Sequence, residues 1–142
     1  MSFLKWLQGR GDRQWLQTFS GVKYYPVAPR PEEVRIVDIA HHLSMLCRYT
    51  GASKKFYSVA EHSCLVSEVG PPEYALERLL HDAPEFVLND LNRPTKHTWW
   101  LWGYRRLEAR NWRAIAQKFG LNERLQQSTK DADNAVLMAE RK

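Results

Sequence analysis

The chain is poor in cysteine and has no long apolar segment. Its 142 residues include two cysteines, Cys47 and Cys64, and no CxxC pair. Two isolated thiols exclude a disulfide-stapled mini-protein and are typical of a reducing compartment. No uninterrupted apolar run approaches the roughly 20 residues of a membrane span. Lys5 and Arg10 also interrupt the N-terminal residues too early for the apolar stretch of a signal peptide. We therefore predict a cytoplasmic protein with no membrane partner.

The composition is that of an ordinary globular domain. Hydrophobic residues make up 44% and charged residues 26% of the chain, which excludes a disordered tail and a collagen-like fibre. A domain of this length removes roughly 68–70% of its extended-chain surface from water, so it can hold a core without covalent staples. Lysine and arginine number 21 against 16 acidic residues, a net charge of +5. An excess of basic residues suits the binding of nucleic acid, a membrane surface or a phosphate-bearing small molecule. A basic surface that is merely solvated accounts for the excess equally well.

Helical spacing dominates the chain, and convincing strand alternation is scarce. We predict an all-α fold, a compact bundle of five to six helices, with residues 19–142 as one domain and residues 1–18 as an N-terminal arm or short helix. Ser58 and Glu61 form an S-x-x-E capping box, so a helix should begin near Val59 and stop at Gly70.

The remaining element boundaries follow from caps, glycines and prolines. Further helices are predicted from a cap at Asp38 to Gly51, from Glu73 to Asp82, from Trp99 to Phe119 with Gly120 as the stop, and from about Lys130 to Arg141. Pro84 predicts a kink or the first turn of a new helix. Residues 89–98 are predicted as a loop, and Val22–Tyr25 as one short strand.

Four side chains are candidate metal ligands: His62, His81, Asp82 and Asp133. Imidazole and carboxylate together suit a divalent cation such as Co, Mn, Zn, Fe or Mg. Glu85 follows His81 by four residues and stays near its face if the backbone is helical. A carboxylate at that distance can orient or deprotonate a water molecule beside the metal. Asp90 lies five residues further, although a lone HD dipeptide or a lone histidine is more often structural.

The ordered set of motifs carries more information than any single residue. The sequence A-E-H-S is followed by L-L-H-D-A-P-E, by Asp90 and then by D-A-D-N-A-V-L-M-A-E-R. Over roughly residues 18–141 this set resembles the HD-domain phosphohydrolases. It is similar to their compact bacterial and bacteriophage members that act on deoxynucleotides, the 5'-deoxynucleotidases and the phage dATP triphosphohydrolases. The segments D-I-A-H-H-L-S-M-L-C-R-Y-T-G and F-Y-S-V-A-E-H-S resemble the phage-type subgroup, which implies a host cytoplasm if the protein is phage-encoded.

The resemblance implies a metal centre with two catalytic carboxylates. The implied ligands of one divalent metal ion are His62, His81, Asp82 and Asp133. The family's A-D pair falls on Asp133, which is therefore preferred over Asp131. Glu85 is implied to orient or activate the attacking water, and Asp90 to assist proton transfer or to fix the site.

Three further residues are predicted to contact the substrate. The resemblance implies phosphate contacts for Arg48, fourteen residues before His62, and for Lys96 in N-R-P-T-K. A guanidinium fork and an ammonium neutralise phosphate well, but both residues are also explained as solvated cations. Tyr49 lies beside Arg48 and is the candidate for contact with the base.

The predicted function is a metal-dependent phosphohydrolase of deoxynucleotides that forms a homo-oligomer. The phage-like segments favour a deoxynucleoside triphosphate triphosphohydrolase, with dATP as the first substrate to test. A 5'-deoxynucleotidase acting on monophosphates is the alternative within this class. The alternative from another class is a basic, non-catalytic module that binds nucleotides or nucleic acid. The intact set of candidate ligands argues against that module and makes nucleic acid the less favoured partner.

Two other clusters are predicted to be structural. His41 and His42 point about 100° apart on a helix and are expected to be structural or exposed. For the aromatic cluster of Trp99, Trp100 and Trp102, with Tyr104 and Trp112, we expect core packing. An exposed patch for self-association and a platform for a nucleobase are the alternatives.

Overall fold

The computed structural model describes residues 2–11 and 13–140, without the side chain of Trp6. Helices make up most of these residues, and the predicted all-α class is confirmed. The α-helices are α1 (Phe3–Leu7), α2 (Ile36–Met45), α3 (Val59–Glu68), α4 (Ala75–Leu80), α5 (Glu85–Leu88), α6 (Arg93–Lys96), α7 (Trp102–Phe119) and α8 (Gln127–Glu140). Short 3-10 turns cover Pro31–Glu33, Arg48–Gly51, Pro72–Tyr74 and Trp99–Leu101. The longer helices α2, α3, α4, α7 and α8 form the predicted bundle of five to six helices, and the described residues add the short helices α1, α5 and α6.

A two-stranded antiparallel sheet lies between α1 and α2 along the chain. Strand β1 (Leu16–Gln17) pairs with β2 (Lys23–Tyr24), with Leu16 opposite Tyr24. Strand β2 falls inside the predicted strand at residues 22–25. Strand β1 and α1 both lie in residues 1–18, so the prediction of an arm or short helix there missed a strand.

Helix α3 lies at the centre of the bundle, packed against α2, α4 and α8. The main core is built from buried side chains of β2, α2, α3, α7 and the α4–α5 region: Tyr24, Val34, Ile39, Leu43, Val59, Leu80, Ala83, Phe86, Trp112, Ala114, Ile115 and Ala116. A second core cluster of Val66, Ala132 and Val136 joins α3 to α8. This packing fixes α3 and α8 side by side, with the end of α4 next to them.

Several predicted boundaries need correction. Helix α2 begins at Ile36, and Asp38 is not its cap. The buried Asp38 carboxylate instead accepts hydrogen bonds from the backbone N–H and hydroxyl of Ser20. Helix α2 ends at Met45 because Leu46 and Cys47 are extended, and Cys47 pairs with Ser58 in an isolated bridge.

The predicted loop at residues 89–98 contains helix α6. Asn92 caps it by accepting from the N–H of Thr95, and Pro94 lies in its first turn, where proline is tolerated. Helix α8 begins at Gln127, before the predicted start, and Arg141 lies outside the described residues. The stop at Gly120 is confirmed, since this residue is left-handed with φ 67°.

The prediction of core packing is wrong for three of the tryptophans. Trp99, Trp100 and Trp102 are 76%, 62% and 55% exposed, whereas Trp112 is buried. The structural interpretation of His42 holds: its Nδ1 donates to the carbonyl of Phe86 and its Nε2 accepts from the N–H of Phe19. Among the described residues, no helix is both long and apolar enough to cross a bilayer.

Candidate metal centre

The capping box positions the first predicted ligand. Ser58 Oγ accepts a hydrogen bond of 3.0 Å from the N–H of Glu61, and α3 begins at Val59 as the S-x-x-E pattern predicts. His62 therefore lies one turn inside α3, on the side that faces α4 and α8. Its side chain is fully buried.

The four predicted ligands meet at one place. His62 Nε2 lies 3.0 Å from Asp133 Oδ1 and 3.7 Å from Asp82 Oδ2. His81 Nε2 lies 3.2 Å from Asp82 Oδ2 and 3.7 Å from Asp133 Oδ1. Ligand atoms of His62, His81 and Asp82 all lie within 4.8 Å of one another. Helix α3, the segment after α4, and α8 thus each contribute to a single cluster.

Both histidines direct their Nε2 atoms into this cluster. His81 Nδ1 lies 2.6 Å from the carbonyl oxygen of Arg78, which can only accept, so Nδ1 carries a hydrogen. His62 Nδ1 lies 2.7 Å from Glu140 Oε1, a carboxylate oxygen that likewise accepts a hydrogen bond from Nδ1–H. His81 Nε2 is buried and makes no hydrogen bond to any described residue. Two imidazoles held by Nδ1, with Nε2 facing carboxylates, form an arrangement typical of metal-binding histidines.

The charges in the cluster compensate one another. Burial opposes a positive charge on His81, but Asp82 and Asp133 outweigh it and raise the pKa of His81 from 6.5 to about 10. Burial also opposes ionisation of Asp82, yet His81 and His62 lower the pKa of Asp82 to about 2. The same imidazoles hold the pKa of Asp133 below its ordinary value despite burial. Since ligands must be deprotonated, a cation and a proton compete for His81 Nε2.

Glu85 and Asp90 lie next to the cluster as the sequence predicts. The Glu85 side chain is buried, and its Oε2 makes no hydrogen bond to the described residues. Burial and the charges of Asp82 and Asp90 raise the pKa of Glu85 well above 4.5. Burial raises the pKa of Asp90 as well, although Arg48 acts against it. Both carboxyls can therefore exchange protons nearer to neutral pH than an exposed carboxyl does.

A cavity of about 250 Å³ lies beside the cluster. It is lined by seven of the nine predicted site residues: Arg48, Tyr49, Asp82, Glu85, Asp90, Lys96 and Asp133. Of the other two, His81 lines an adjacent cavity together with Asp82 and Asp133, and His62 is fully buried. The structure therefore brings all nine predicted residues together, and their roles stay predictions.

The three predicted substrate contacts already have protein partners. Arg48 is buried, with Nη2 3.2 Å from Glu140 Oε2 and Nη1 3.7 Å from Asp82 Oδ2. The Tyr49 hydroxyl donates to Glu140. Lys96 forms an ion pair with Glu108, and its Nζ lies 4.0 Å from Glu85 Oε1. Arg48 and Lys96 are therefore fixed in the cavity wall, which disagrees with their interpretation as solvated cations.

Comparison with known proteins shows relatives at the level of sequence. The chain is 38% identical over 128 residues to the uncharacterized protein YfdR of Escherichia coli strain K12, a match that covers 90% of this chain and 71% of YfdR. This chain belongs to the YfdR family. It is also 40% identical over 118 residues to an uncharacterized protein of Rhodobacter capsulatus, covering 77% of this chain and 60% of that protein. No family model matches.

Four residues of this YfdR-family site were not predicted. Glu140 accepts from Arg48, Tyr49, Tyr57 and His62, and Tyr57 reaches it from the segment before α3. Arg93 donates to Asp133 Oδ2 at 2.9 Å, and Glu108 holds Lys96. A sequence signal existed for Glu140, because it follows Asp133 by seven residues and so shares its helix face. No comparable signal exists for Glu108, since α7 reaches the site only through tertiary packing.

Proposed function

We propose that this YfdR-family protein is a metal-dependent phosphohydrolase of deoxynucleotides with an HD-type metal centre. The observation that supports the proposal is the convergence of two imidazole nitrogens and two carboxylates at the wall of a cavity. The same cavity carries two fixed cations, Arg48 and Lys96, and two carboxyls with raised pKa values, Glu85 and Asp90. Phosphate-ester hydrolysis needs charge neutralisation and a positioned nucleophile, which these groups can supply.

The residues of the cluster fit a divalent cation. His62, His81, Asp82 and Asp133 would hold it, as the resemblance implies, and the buried Nε2 of His81 is a ligand atom with no other hydrogen-bond partner among the described residues. A cation bound there supplies a Lewis acid that polarises a phosphoryl oxygen and lowers the pKa of water. Mixed nitrogen and oxygen ligands suit Mn, Fe, Co, Zn or Mg.

The protein's own side chains would carry out proton transfer, phosphate binding and contact with the base. Glu85 accepts a proton from the attacking water, and its burial beside Asp82 keeps it basic enough to do so. Asp90 assists proton transfer to the departing oxygen or helps to fix the site, and burial raises its pKa toward the range in which a carboxyl exchanges protons near neutral pH. Arg48 and Lys96 hold the phosphate charge, and Tyr49 contacts the base.

The proposed substrate is a deoxynucleoside triphosphate, with dATP first. Water adds to the α-phosphorus, the bond from phosphorus to the 5'-oxygen breaks, and the 5'-oxygen takes up a proton. The products are deoxynucleoside and triphosphate. This choice of substrate is supported by the phage-like segments around Arg48 and His62. A 5'-deoxynucleotidase would break the same bond in a monophosphate and release phosphate.

A product assay tests the proposal. Purified protein is stripped with chelator, loaded separately with Mn²⁺, Co²⁺, Zn²⁺ and Mg²⁺, and incubated with each deoxynucleoside mono- and triphosphate. We expect deoxynucleoside plus triphosphate from dATP, with none in chelator or in the D82A variant. Release of phosphate from monophosphates alone identifies a deoxynucleotidase. If the metal-loaded protein releases no product from any substrate, hydrolysis is rejected in favour of a non-catalytic binding module. The affinity of such a module for nucleic acid would fall steeply with salt.

We also propose a cytoplasmic homo-oligomer. The exposed tryptophans Trp99, Trp100 and Trp102 support it, because aromatic residues concentrate at protein interfaces. Both cysteines are free, which fits a reducing compartment. Sedimentation of the wild type and of the variant with serine at all three tryptophans measures the oligomer. A wild type that stays monomeric at every concentration contradicts it.

A further inference from the structure

The carboxylate of Glu140, in the last turn of α8, accepts hydrogen bonds from four side chains. Its Oε1 accepts from His62 Nδ1 at 2.7 Å and from the Tyr57 hydroxyl. Its Oε2 accepts from Arg48 Nη2 at 3.2 Å and from the Tyr49 hydroxyl. Burial opposes its ionisation, but the bonds from Tyr49, Tyr57 and His62 outweigh burial and lower the pKa of Glu140. One ionised carboxylate thus lies between a candidate metal ligand and the candidate phosphate contact.

We propose that Glu140 is a positioning residue. It fixes the metal-binding half of the site, at His62, relative to the phosphate-binding half, at Arg48 and Tyr49. Oε1 orients His62, and Oε2 orients Arg48 and Tyr49. The part that concerns phosphate rests on the proposed function. The part that concerns the metal rests only on the convergence of the four ligands.

The metal half depends on the tautomer of His62. A carboxylate that accepts from Nδ1–H leaves the lone pair on Nε2, where the cluster needs it, and makes that nitrogen more basic. His81 is held in the same way by the backbone carbonyl of Arg78, which no side-chain substitution removes. Of the supports behind the two histidines, the one at Glu140 is therefore the one that mutation can test directly.

The phosphate half depends on a short, strained segment. Tyr49 and Thr50 have φ angles of 57° and 56°, in the left-handed region that non-glycine residues avoid. The bond from the Tyr49 hydroxyl to Glu140 helps to hold this turn. Without Glu140, the nearest carboxylate to Arg48 is Asp82, with Oδ2 3.7 Å from Nη1. The released guanidinium would then pair with a metal ligand and compete with the cation.

Metal affinity of the folded protein tests the proposal without any activity assay. Chelator-stripped wild type, E140A and E140Q are titrated with Mn²⁺ by calorimetry, and then with inorganic phosphate in saturating Mn²⁺. We expect E140A to weaken Mn²⁺ binding about 10–100-fold, the range seen when a carboxylate behind a metal-binding histidine is lost. We expect E140Q to fall between E140A and wild type, because its amide oxygen still accepts from His62. Phosphate binding should weaken in the same order.

The matched control is E77Q. Glu77 is a buried carboxylate of α4 that binds the start of α8, because it accepts from the Gln126 N–H and the Thr129 hydroxyl. Its substitution should lower stability but leave Mn²⁺ affinity within about twofold, since it contacts no ligand. The nitrogen-15 shifts of the His62 ring in metal-free E140A give a second readout, and we expect them to differ from those of the wild type because Nδ1 has lost its carboxylate partner.

The outcomes separate this inference from the proposed function. Unchanged Mn²⁺ affinity in folded E140A, with unchanged nitrogen-15 shifts of the His62 ring, overturns the role of Glu140. A wild type that binds Mn²⁺ and shows the expected loss in E140A, yet hydrolyses no nucleotide, rejects the proposed function and retains the positioning role. A wild type that binds no Mn²⁺ overturns both.

Discussion

Glu85 combines deep burial with weak compensation of its charge. Its Oε2 has no hydrogen-bond partner among the described residues, and the nearest cation, Lys96 Nζ, is 4.0 Å from Oε1. In E85Q the shape is kept but the side chain can no longer accept a proton. We expect kcat to fall about 10²–10⁴-fold, the usual contribution of a general base, while the bound metal per chain stays at the wild-type value. Steady-state kinetics with metal analysis of the same samples measures both.

The control for this substitution is E123Q. Glu123 is an exposed carboxylate paired with Arg113 at 3.2 Å, outside the cluster of candidate ligands. It carries the same chemical change, and kcat should stay within about twofold of wild type, because exposed ion pairs contribute little. If E85Q retained wild-type turnover, water activation would have to be assigned to another residue, and Asp90 would be the next to test.

The site was predictable where its residues stand in compact motifs. His62, His81 and Asp82 were found from A-E-H-S and L-L-H-D, because each motif places a candidate ligand in or directly after a helix that the local pattern defines. Glu140 and Glu108 were missed because their importance lies in partners far away in sequence. For Glu140, the spacing of seven residues from Asp133 indicated a shared helix face but not which side chains its carboxylate binds.

Helix α3 is the element on which the candidate centre depends. It carries His62, packs against α2, α4 and α8, and begins at the Ser58 cap. We expect S58A to lower the free energy of unfolding by about 1 kcal/mol, because the N–H of Glu61 loses its acceptor. Urea denaturation of metal-free protein measures the change. S67A is the control, since the Ser67 hydroxyl donates to the Cys64 carbonyl near the exposed end of the same helix. Its effect should stay within about 0.5 kcal/mol, and equal losses in both variants would contradict a special role for the cap.

Element boundaries were predictable where one local interaction decides them. The Ser58 cap and the left-handed Gly120 mark the start of α3 and the end of α7 as expected. The start of α2 was misplaced because the Asp38 side chain binds Ser20, eighteen residues earlier, and does not cap its own helix. Helix α6 was missed because its single turn, Arg93–Lys96, is too short to show a helical period.

At the scale of the molecule, the cluster joins three parts of the bundle through charge. The candidate ligands come from α3, from the segment directly after α4 and from α8, so the balance of charge among them affects how firmly these elements are held together. In the metal-free protein, a protonated His81 compensates Asp82 and Asp133. A cation bound in that position would take over this compensation, and its binding energy would add to the stability of the folded state.

The stability of the metal-free protein should therefore depend on pH through His81. Its pKa is about 10 in the folded chain against 6.5 ordinarily, so the folded state binds the proton more tightly than the unfolded state. Such a group contributes its full stabilisation below about pH 6.5 and loses it as the pH rises toward 10. We expect the free energy of unfolding in chelator, from urea titrations at pH 6.5 and 9.5, to fall across this range. The fall should be much smaller in H81Q, which has no titrating ring, and unchanged in H97Q, where an exposed histidine is replaced. An equal fall in wild type and H81Q would show that His81 is not the group responsible, and that Asp82 and Asp133 are compensated by another charge.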